Sequence, residues 1–256
     1  MAAERLFPRF AEPRLNEALS DSVARGTARR RTSWYRDYVE TMVQRDVRDL
    51  ARIASLDTLP RLLNFAAAQT ARLINISDLG APLQLSRPTI RDYVTLLEGV
   101  FLLEELPPWH SNRLSRLIKT PKLHVGDTGV ACAVLNRDCA ALWEDRALFG
   151  QMVETFVYQE LRRQASWQEE EIRFHHFRDR DGFEVDLVLE RPGGDLAGVE
   201  VKAGATVTAA DFRGLHKFRD GAGKHFSAGI VLYDGEVAAS FGERMCAVPL
   251  SELWAK

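Results

Sequence analysis

The sequence predicts a mixed α/β protein in which N-terminal helices and a helix-turn-helix precede a C-terminal αβββαβ domain. Three observations support this class. Apolar residues recur at helical spacing in the first half of the chain, strand-like segments of alternating polarity lie in the second half, and 46% of the 256 residues are apolar, which is enough to bury a substantial core. We expect three regions: a helical lead-in at residues 1–58, a region with the helix-turn-helix at residues 59–145, and the αβββαβ domain at residues 146–256.

The composition excludes several classes of protein. The 34 basic and 36 acidic residues give a formal net charge of −2, which excludes coating of nucleic acid by uniform positive charge but allows a local basic surface. No apolar run reaches about 18 residues, the first residues lack a signal-peptide core, and the three cysteines form no Cys-x-x-Cys pair. We therefore expect a cytoplasmic protein with reduced thiols and no membrane contact. No Walker A motif is present, so we expect no P-loop ATPase in this chain.

The first elements are two helices. Apolar side chains recur at helical spacing from Tyr35 to Ile53, and an alanine- and leucine-rich segment predicts a second helix over about Leu59–Leu73. Arg29 to Arg31 precede them and are typical of a solvated helix end.

A helix-turn-helix pattern follows. Ser77 or Asp78 can cap a short helix that ends near Gly80. Ser86 is placed to cap a second, amphipathic helix, with Pro88 in its first turn, where a missing N–H costs little. Two helices joined by a tight turn predict a helix-turn-helix.

Two predicted strands convert this motif into a winged helix. They span residues 100–106 and 122–125, and the connection between them contains basic residues and no acid from Pro107 to Gly126. A basic wing tip is suited to contact phosphates, although winged helices also bind proteins, so DNA and protein partners both remain open. The candidate nucleic-acid contacts are Arg87, Arg91, Arg113, Arg116, Lys119 and Lys122. Tyr93 and Trp109 could stack on bases, but their apolar surroundings favour a place in the core.

The segments FEVDLVLE and GVEVKAG, joined by a turn, predict a β-hairpin with one polar face. A register centred on Gly193 keeps the apolar faces together and places Asp186 opposite Glu200, with Cβ atoms about 5 Å apart and Lys202 on the same face. Two such carboxylates repel each other unless a cation offsets their charge, and their oxygens suit Mg²⁺. Lys202 could orient water or stabilise charge on a phosphate, as metal-assisted phosphodiester hydrolysis requires. The alternative is an exposed hairpin face with ordinary salt bridges.

This constellation, Asp186…Glu200-Val201-Lys202 on a hairpin after a helix and a strand, resembles the PD-(D/E)xK restriction-endonuclease-like superfamily. The resemblance implies that Asp186 and Glu200 bind Mg²⁺ or Mn²⁺ and that Lys202 is catalytic. The Gly-x-x-x-Glu segment that ends at Glu154 is similar to the helix motif that often supplies a further ligand. We therefore expect Glu154 to be the third metal ligand. Glu160 falls at the centre of the apolar face of that helix, so it could be the more buried acid. The alternative to a ligand role for Glu160 is a hydrogen-bonded carboxylate in the core. The superfamily's Pro-Asp dipeptide is absent, because Val185 precedes the aspartate.

A longer resemblance extends from Trp34 to Tyr233 and includes SRPTIRDYVTLLEGVFLLEELPPW, FGQMVETFVYQELRR and GVEVKAG. It is to the region of unknown function that follows the ATPase module in many bacterial and archaeal AAA-superfamily ATP-binding proteins. The resemblance implies an ATPase module or a partner protein as a partner. It also implies that residues 1–58 are the tail of an ATPase lid region with a joining helix, and that the chain is a shortened product or a fragment. Two function classes follow: a metal-dependent nuclease, or a noncatalytic module that binds DNA or protein and is driven by an attached ATPase.

Overall fold

The computed structural model describes residues 27–47, 57–109 and 119–254, which divide between two compact units. The first unit reaches Glu105 and resumes at Leu123–Gln159, and the second takes Leu106–Lys122 and the chain from Glu160 onward. The architecture is mixed α/β, with N-terminal helices and a C-terminal sheet, as predicted. Within the part of the chain described, none of the helices has the length and apolarity needed to cross a bilayer.

The first unit is mainly helical. Helix α1 continues into a π-helical turn at Met42–Val47. The helices and strands of this unit are α1 (Ala28–Thr41), α2 (Thr58–Ala67), β1 (Arg72–Leu73), α3 (Ile76–Gly80), α4 (Arg87–Gly99), β2 (Leu103–Leu106), β3 (Lys122–Val125), α5 (Thr128–Val134) and α6 (Cys139–Glu144). The last residue of β2, Leu106, and the first residue of β3, Lys122, belong to the second unit. Helix α7 (Arg146–Ala165) begins in the first unit and ends in the second.

Helix α2 ends earlier than predicted. The prediction carried it to Leu73, but it ends at Ala67, and Arg72–Leu73 form strand β1 instead. Ala71 adopts a left-handed backbone conformation with φ 61°, and its N–H donates to the carbonyl of Leu123 at 2.7 Å. A left-handed residue cannot continue a right-handed helix, so the chain turns there and joins the sheet.

The two helices of the predicted helix-turn-helix are present. Ser86 caps α4 by accepting a hydrogen bond from the Thr89 N–H, and Pro88 lies in the first turn, as predicted. Helix α3 ends at Gly80, but its cap is Asn75, whose side chain accepts from two backbone N–H groups. The cap prediction of Ser77 or Asp78 was therefore wrong, because the helix begins earlier, at Ile76. The associated three-stranded sheet has the order β1-β3-β2.

The second unit is built on a six-stranded sheet of order β4-β5-β6-β7-β9-β8. Strands β4, β5 and β6 form an antiparallel meander, whereas β6, β7 and β9 run parallel and β8 is antiparallel to β9. The elements are β4 (Arg173–Arg178), β5 (Glu184–Glu190), β6 (Leu196–Lys202), α8 (Arg213–Ala222), β7 (Phe226–Tyr233), β8 (Ala239–Ser240) and β9 (Met245–Pro249).

Helix α8 packs closely on the β5–β6 hairpin because glycines lie at the contact. Leu215 and Phe218 of α8 are fully buried. A Cβ atom on Gly198 would lie 2.7 Å from Leu215 Cδ2, and a Cβ atom on Gly214 would collide with the carbonyl oxygen of Glu184. Only glycine permits this approach of helix to sheet, which fixes the hairpin in place.

The segment from residue 106 to residue 122 is tied to strand β4 at both of its described ends. The His176 N–H donates to the Pro107 carbonyl at 2.9 Å, and the Trp109 N–H donates to the His176 carbonyl at 2.7 Å. The His176 Nε2 atom lies 3.0 Å from the Thr120 carbonyl oxygen. Trp109 is buried against Phe177 and Phe218, so the preference for a core position over base stacking is confirmed.

Candidate functional site

The β5–β6 hairpin has the predicted register. Leu187 pairs with Val199 and Glu190 pairs with Leu196, which centres the hairpin on Gly193. One further step of this register sets Asp186 opposite Glu200. At that end of the hairpin the Val201 N–H donates to Asp186 Oδ2 at 2.9 Å, so the aspartate is held against the strand that carries Glu200.

The two acids at the centre of the polar face, Asp186 and Glu200, are enclosed. Asp186 is only 6% exposed, and the Glu200 side chain is 12% exposed. The central residues of β5 are buried on both faces of the sheet. The alternative of an exposed face carrying ordinary salt bridges does not describe Asp186 and Glu200, and these two carboxylates need compensation inside the protein.

Lys122 supplies part of that compensation. Its Nζ atom lies 3.0 Å from Asp186 Oδ1, and the residue is 3% exposed. The prediction that Lys122 contacts nucleic-acid phosphates was wrong, because all four residues of β3 are buried and the ammonium is paired with a buried carboxylate. Lys122 belongs to the carboxylate cluster instead.

Lys202 also faces carboxylates. Its Nζ atom lies 3.4 Å from Glu200 Oε1 and 3.5 Å from Asp211 Oδ1. Burial favours a lower pKa for Lys202, but Glu200, Asp211 and Asp186 outweigh burial and raise its pKa. The side chain therefore carries a positive charge at neutral pH, which suits it to stabilise negative charge and not to act as a general base.

Glu200 has one oxygen whose hydrogen-bonding capacity is unused. Its Oε2 atom is buried and accepts no hydrogen bond. Burial and the neighbouring Asp186 carboxylate raise the pKa of Glu200 well above its ordinary value. A buried oxygen without a partner is costly, and a proton or a metal ion at this oxygen would remove that cost.

Carboxylate oxygens of this kind fit a hard divalent cation such as Mg²⁺ or Mn²⁺. Among the residues that the structure describes, no group of three or more His, Cys, Asp and Glu side chains is arranged to hold a metal ion. Asp186 and Glu200 would therefore hold such an ion together with water, backbone carbonyl or substrate oxygens, which Mg²⁺ accepts readily.

The two glutamates of helix α7 differ in their surroundings. Glu154 is partly buried in the first unit, whereas Asp186, Glu200 and Lys202 belong to the second, and its assignment as third ligand stays a prediction. Glu160 is buried and accepts hydrogen bonds from Trp254 Nε1, Gln164 and Arg163 at 3.0 to 3.3 Å. Glu160 is therefore a core carboxylate, the alternative that its position on the helix suggested.

The other basic candidates remain on the surface where the structure describes them. Arg87 and Lys119 are exposed. Arg91 is also exposed, and its guanidinium forms a 3.1 Å ion pair with Glu105. Arg113 and Arg116 lie outside the described residues.

The sequence reasoning missed two members of the cluster. Asp211 is the third residue of a short 3₁₀ helix (Ala209–Phe212), and its carboxylate accepts hydrogen bonds from the N–H and the hydroxyl of Thr208. The Thr-x-x-Asp spacing was a readable capping signal, but nothing local indicated that the same aspartate would face Lys202. The contact between Lys122 and Asp186 joins residues 64 positions apart, and no pattern in the sequence predicted it.

The chain is similar to two domains of unknown function and to two uncharacterized mycobacterial proteins. Residues 20–140 match a domain of unknown function, DUF8612, and residues 149–253 match another, DUF4143. The uncharacterized proteins Rv2008c of Mycobacterium tuberculosis and Mb2031c of Mycobacterium bovis are each 25% identical to this chain over 205 residues. These alignments cover 80% of this chain and 44% of each relative, so the chain spans less than half the length of the curated relatives it matches.

Proposed function

We propose that the second unit is a divalent-metal-dependent nuclease that hydrolyses phosphodiester bonds at Asp186, Glu200 and Lys202. The observation that carries the proposal is the buried carboxylate pair with an unpartnered Glu200 oxygen and a partly exposed ammonium on the same strand. The αβββαβ order of α7, β4, β5, β6, α8 and β7 supports it, because the restriction-endonuclease-like resemblance implies that order.

Each side chain has a distinct task in this mechanism. Asp186 and Glu200 would hold Mg²⁺ or Mn²⁺, which when bound polarises the phosphate and makes a bound water more acidic. The Lys202 ammonium, with 36% of its side chain exposed, can reach a phosphate at the surface of the site and stabilise the charge that develops there. A water oxygen bonds to phosphorus, the bond from phosphorus to a sugar oxygen breaks, and that oxygen leaves with a proton.

The first unit supplies a candidate nucleic-acid interface. We infer a winged helix from α3 and α4 joined by a tight turn and from the sheet order β1-β3-β2. The exposed Arg87 at the start of α4 would meet a phosphate of DNA, and the exposed Lys119, in the second unit, is a separate candidate contact. This interface would give the nuclease affinity for its substrate without base specificity.

Cleavage assays test the nuclease directly. The purified chain should cut plasmid, single-stranded DNA or RNA in the presence of Mg²⁺ or Mn²⁺ and should be inactive in EDTA. Lys202→Ala should reduce cleavage by at least about 100-fold because it removes a charge that acts in the transition state. Lys224→Ala, at an exposed lysine of the same unit, is the matched control and should cut normally. Binding of nucleic acid without cutting of any substrate, with either metal, would refute the proposal.

A specific observation favours a second candidate, a noncatalytic module that binds DNA or a partner protein and works with an AAA-type ATPase. Lys122 and Lys202 already give Asp186 and Glu200 cationic neighbours without a metal. Such a cluster can stabilise the fold by itself. This candidate predicts that the chain binds DNA equally well in EDTA and in Mg²⁺, and that divalent ions leave its thermal stability unchanged.

A further inference from the structure

The two oxygens of Asp186 are engaged by very different groups. Oδ2 accepts from the Val201 backbone N–H at 2.9 Å, which is fixed by the strand. Oδ1 lies 3.0 Å from Lys122 Nζ, which sits at the end of a four-carbon side chain. Of the two, only the lysine head can move away without disturbing the sheet.

The charges of the cluster set up a competition. The Asp186, Glu200 and Asp211 carboxylates face the two ammonium groups of Lys122 and Lys202. Three carboxyl groups therefore share two ammonium groups. Lys122 opposes a divalent ion because it places positive charge directly on one of the oxygens that would bind it.

The backbone two residues before Lys122 contacts a buried histidine. The neighbouring Thr120 carbonyl is hydrogen-bonded to His176, and the His176 side chain is fully buried. Burial and the charge of Lys122 lower the pKa of His176 to about 4, so the ring is neutral and adds no further positive charge. Lys122 is thus the protein's own cation in contact with Asp186.

We propose that Lys122 is a built-in cation that occupies Asp186 in the metal-free protein and yields it to an incoming divalent ion. Lys122 thereby sets the metal concentration at which the site loads. This inference rests on the proposed function, since it takes Asp186 and Glu200 as the metal ligands. It assigns Lys122 a positioning role and not a catalytic one.

Metal affinity tests this role without reference to cleavage. Mn²⁺ binding is measured by electron paramagnetic resonance and isothermal titration calorimetry on the full chain, for the wild type, Lys122→Met and Lys122→Arg. Lys122→Met removes the charge and keeps the length, and should bind Mn²⁺ at least tenfold more tightly. Lys122→Arg keeps the charge and should stay closer to the wild type. Lys224→Met removes an exposed lysine of the same unit and should leave the affinity unchanged.

A measurement on the wild type covers the case in which Lys122→Met does not fold. In the metal-free protein the Lys122 ammonium hydrogens should exchange slowly with water and give a resolved lysine Nζ signal in a ¹⁵N NMR spectrum. Titration with diamagnetic Mg²⁺ should remove or strongly shift that signal as the ion takes its place.

The outcomes separate the two proposals. If the wild type and Lys122→Met bind Mn²⁺ equally, or Lys122→Met binds more weakly, the role of Lys122 is refuted while the metal site stands. An unchanged Lys122 signal at saturating Mg²⁺ has the same meaning. If no variant binds a divalent ion, the proposed nuclease and the role of Lys122 fall together.

Discussion

The buried pair formed by Lys122 and Asp186 should be strongly coupled in the stability of the metal-free protein. Asp186→Asn would leave a buried ammonium facing an amide, and Lys122→Met would leave a buried carboxylate beside Glu200. Loss of one partner of a buried ion pair costs about 3 to 5 kcal/mol, because the remaining charge is neither solvated nor paired. The double variant carries neither charge and should lose much less than the sum of the single variants.

The size of this coupling follows from the geometry. Two unit charges 3.0 Å apart attract each other by about 5 kcal/mol at an effective dielectric constant of about 20. The measured coupling should be smaller than this attraction, because each single variant regains part of the lost free energy. Asp186 keeps its hydrogen bond from the Val201 N–H, and both residues can relax. We therefore expect an interaction free energy of about 2 to 4 kcal/mol for the pair.

A double-mutant cycle measured in EDTA gives this number. Because the chain has two units, hydrogen exchange of the β5 amides should be measured alongside urea unfolding to report the second unit by itself. The matched control is the pair formed by Arg178 and Glu184, which is shorter at 2.7 Å but has side chains 40% and 39% exposed. Its cycle, with Arg178→Met and Glu184→Gln, should give less than about 1 kcal/mol. Additivity of Lys122→Met and Asp186→Asn within about 0.5 kcal/mol would refute the reasoning.

Three further expectations concern stability and binding. The unfolding free energy should fall by up to about 3 kcal/mol as the pH is lowered from 6.5 towards 4, because the buried His176 has its pKa lowered to about 4 and the unfolded chain takes up the proton first; denaturant titrations across this range measure it. Gly214→Ala should destabilise the second unit by about 3 kcal/mol, since its methyl group would collide with the backbone of β5, whereas Gly150→Ala meets open space and should be neutral or stabilising in thermal unfolding. Arg87→Ala and Lys119→Ala should each lower the slope of log K against log salt by about one in DNA titrations, if each contacts one phosphate.

Controls decide each of these expectations. His176→Gln should flatten the pH dependence, and an unchanged slope would assign the acid sensitivity to other groups. Equal stability of the two glycine variants would contradict the close packing of α8 on the hairpin. Salt slopes that are unchanged in both surface variants would remove the inferred phosphate contacts.

The register of the hairpin could be predicted because alternation and turn position are local properties. Any slip by one residue would have placed Leu187 among the acids, and the turn near Gly193 left one arrangement that keeps the apolar faces together. The cap at Ser86 was predictable for the same reason, since a hydroxyl side chain, a first-turn proline and an apolar periodicity follow each other directly. These features are decided within about ten residues of chain.

The features that were missed depend on distant contacts. Helix α2 ends at Ala67, and the residues that follow pair with a strand some fifty positions later. Helix propensity is a local property, so it cannot predict this pairing. The fate of Lys122 was set by Asp186, on another element of the second unit. A lysine in a basic stretch is usually exposed, so the sequence alone favoured a phosphate contact for Lys122. Only the fold showed that its ammonium is paired with a buried carboxylate.

The hydrogen bonding of the carboxylate cluster is uneven, which bears on whether the cluster is purely structural. A structural cluster that is retained for stability should satisfy each buried polar atom, because a partly satisfied network is worse than apolar packing. Here Asp186 is fully engaged and Lys202 has two carboxylate partners, yet Glu200 Oε2 accepts no hydrogen bond. This oxygen belongs to the acid whose pKa is raised by burial and by Asp186, so an added proton or cation there would lower an electrostatic cost. A proton or a metal ion at this oxygen would each relieve the cost, and of the two only a metal ion would make the stability of the second unit depend on divalent ions.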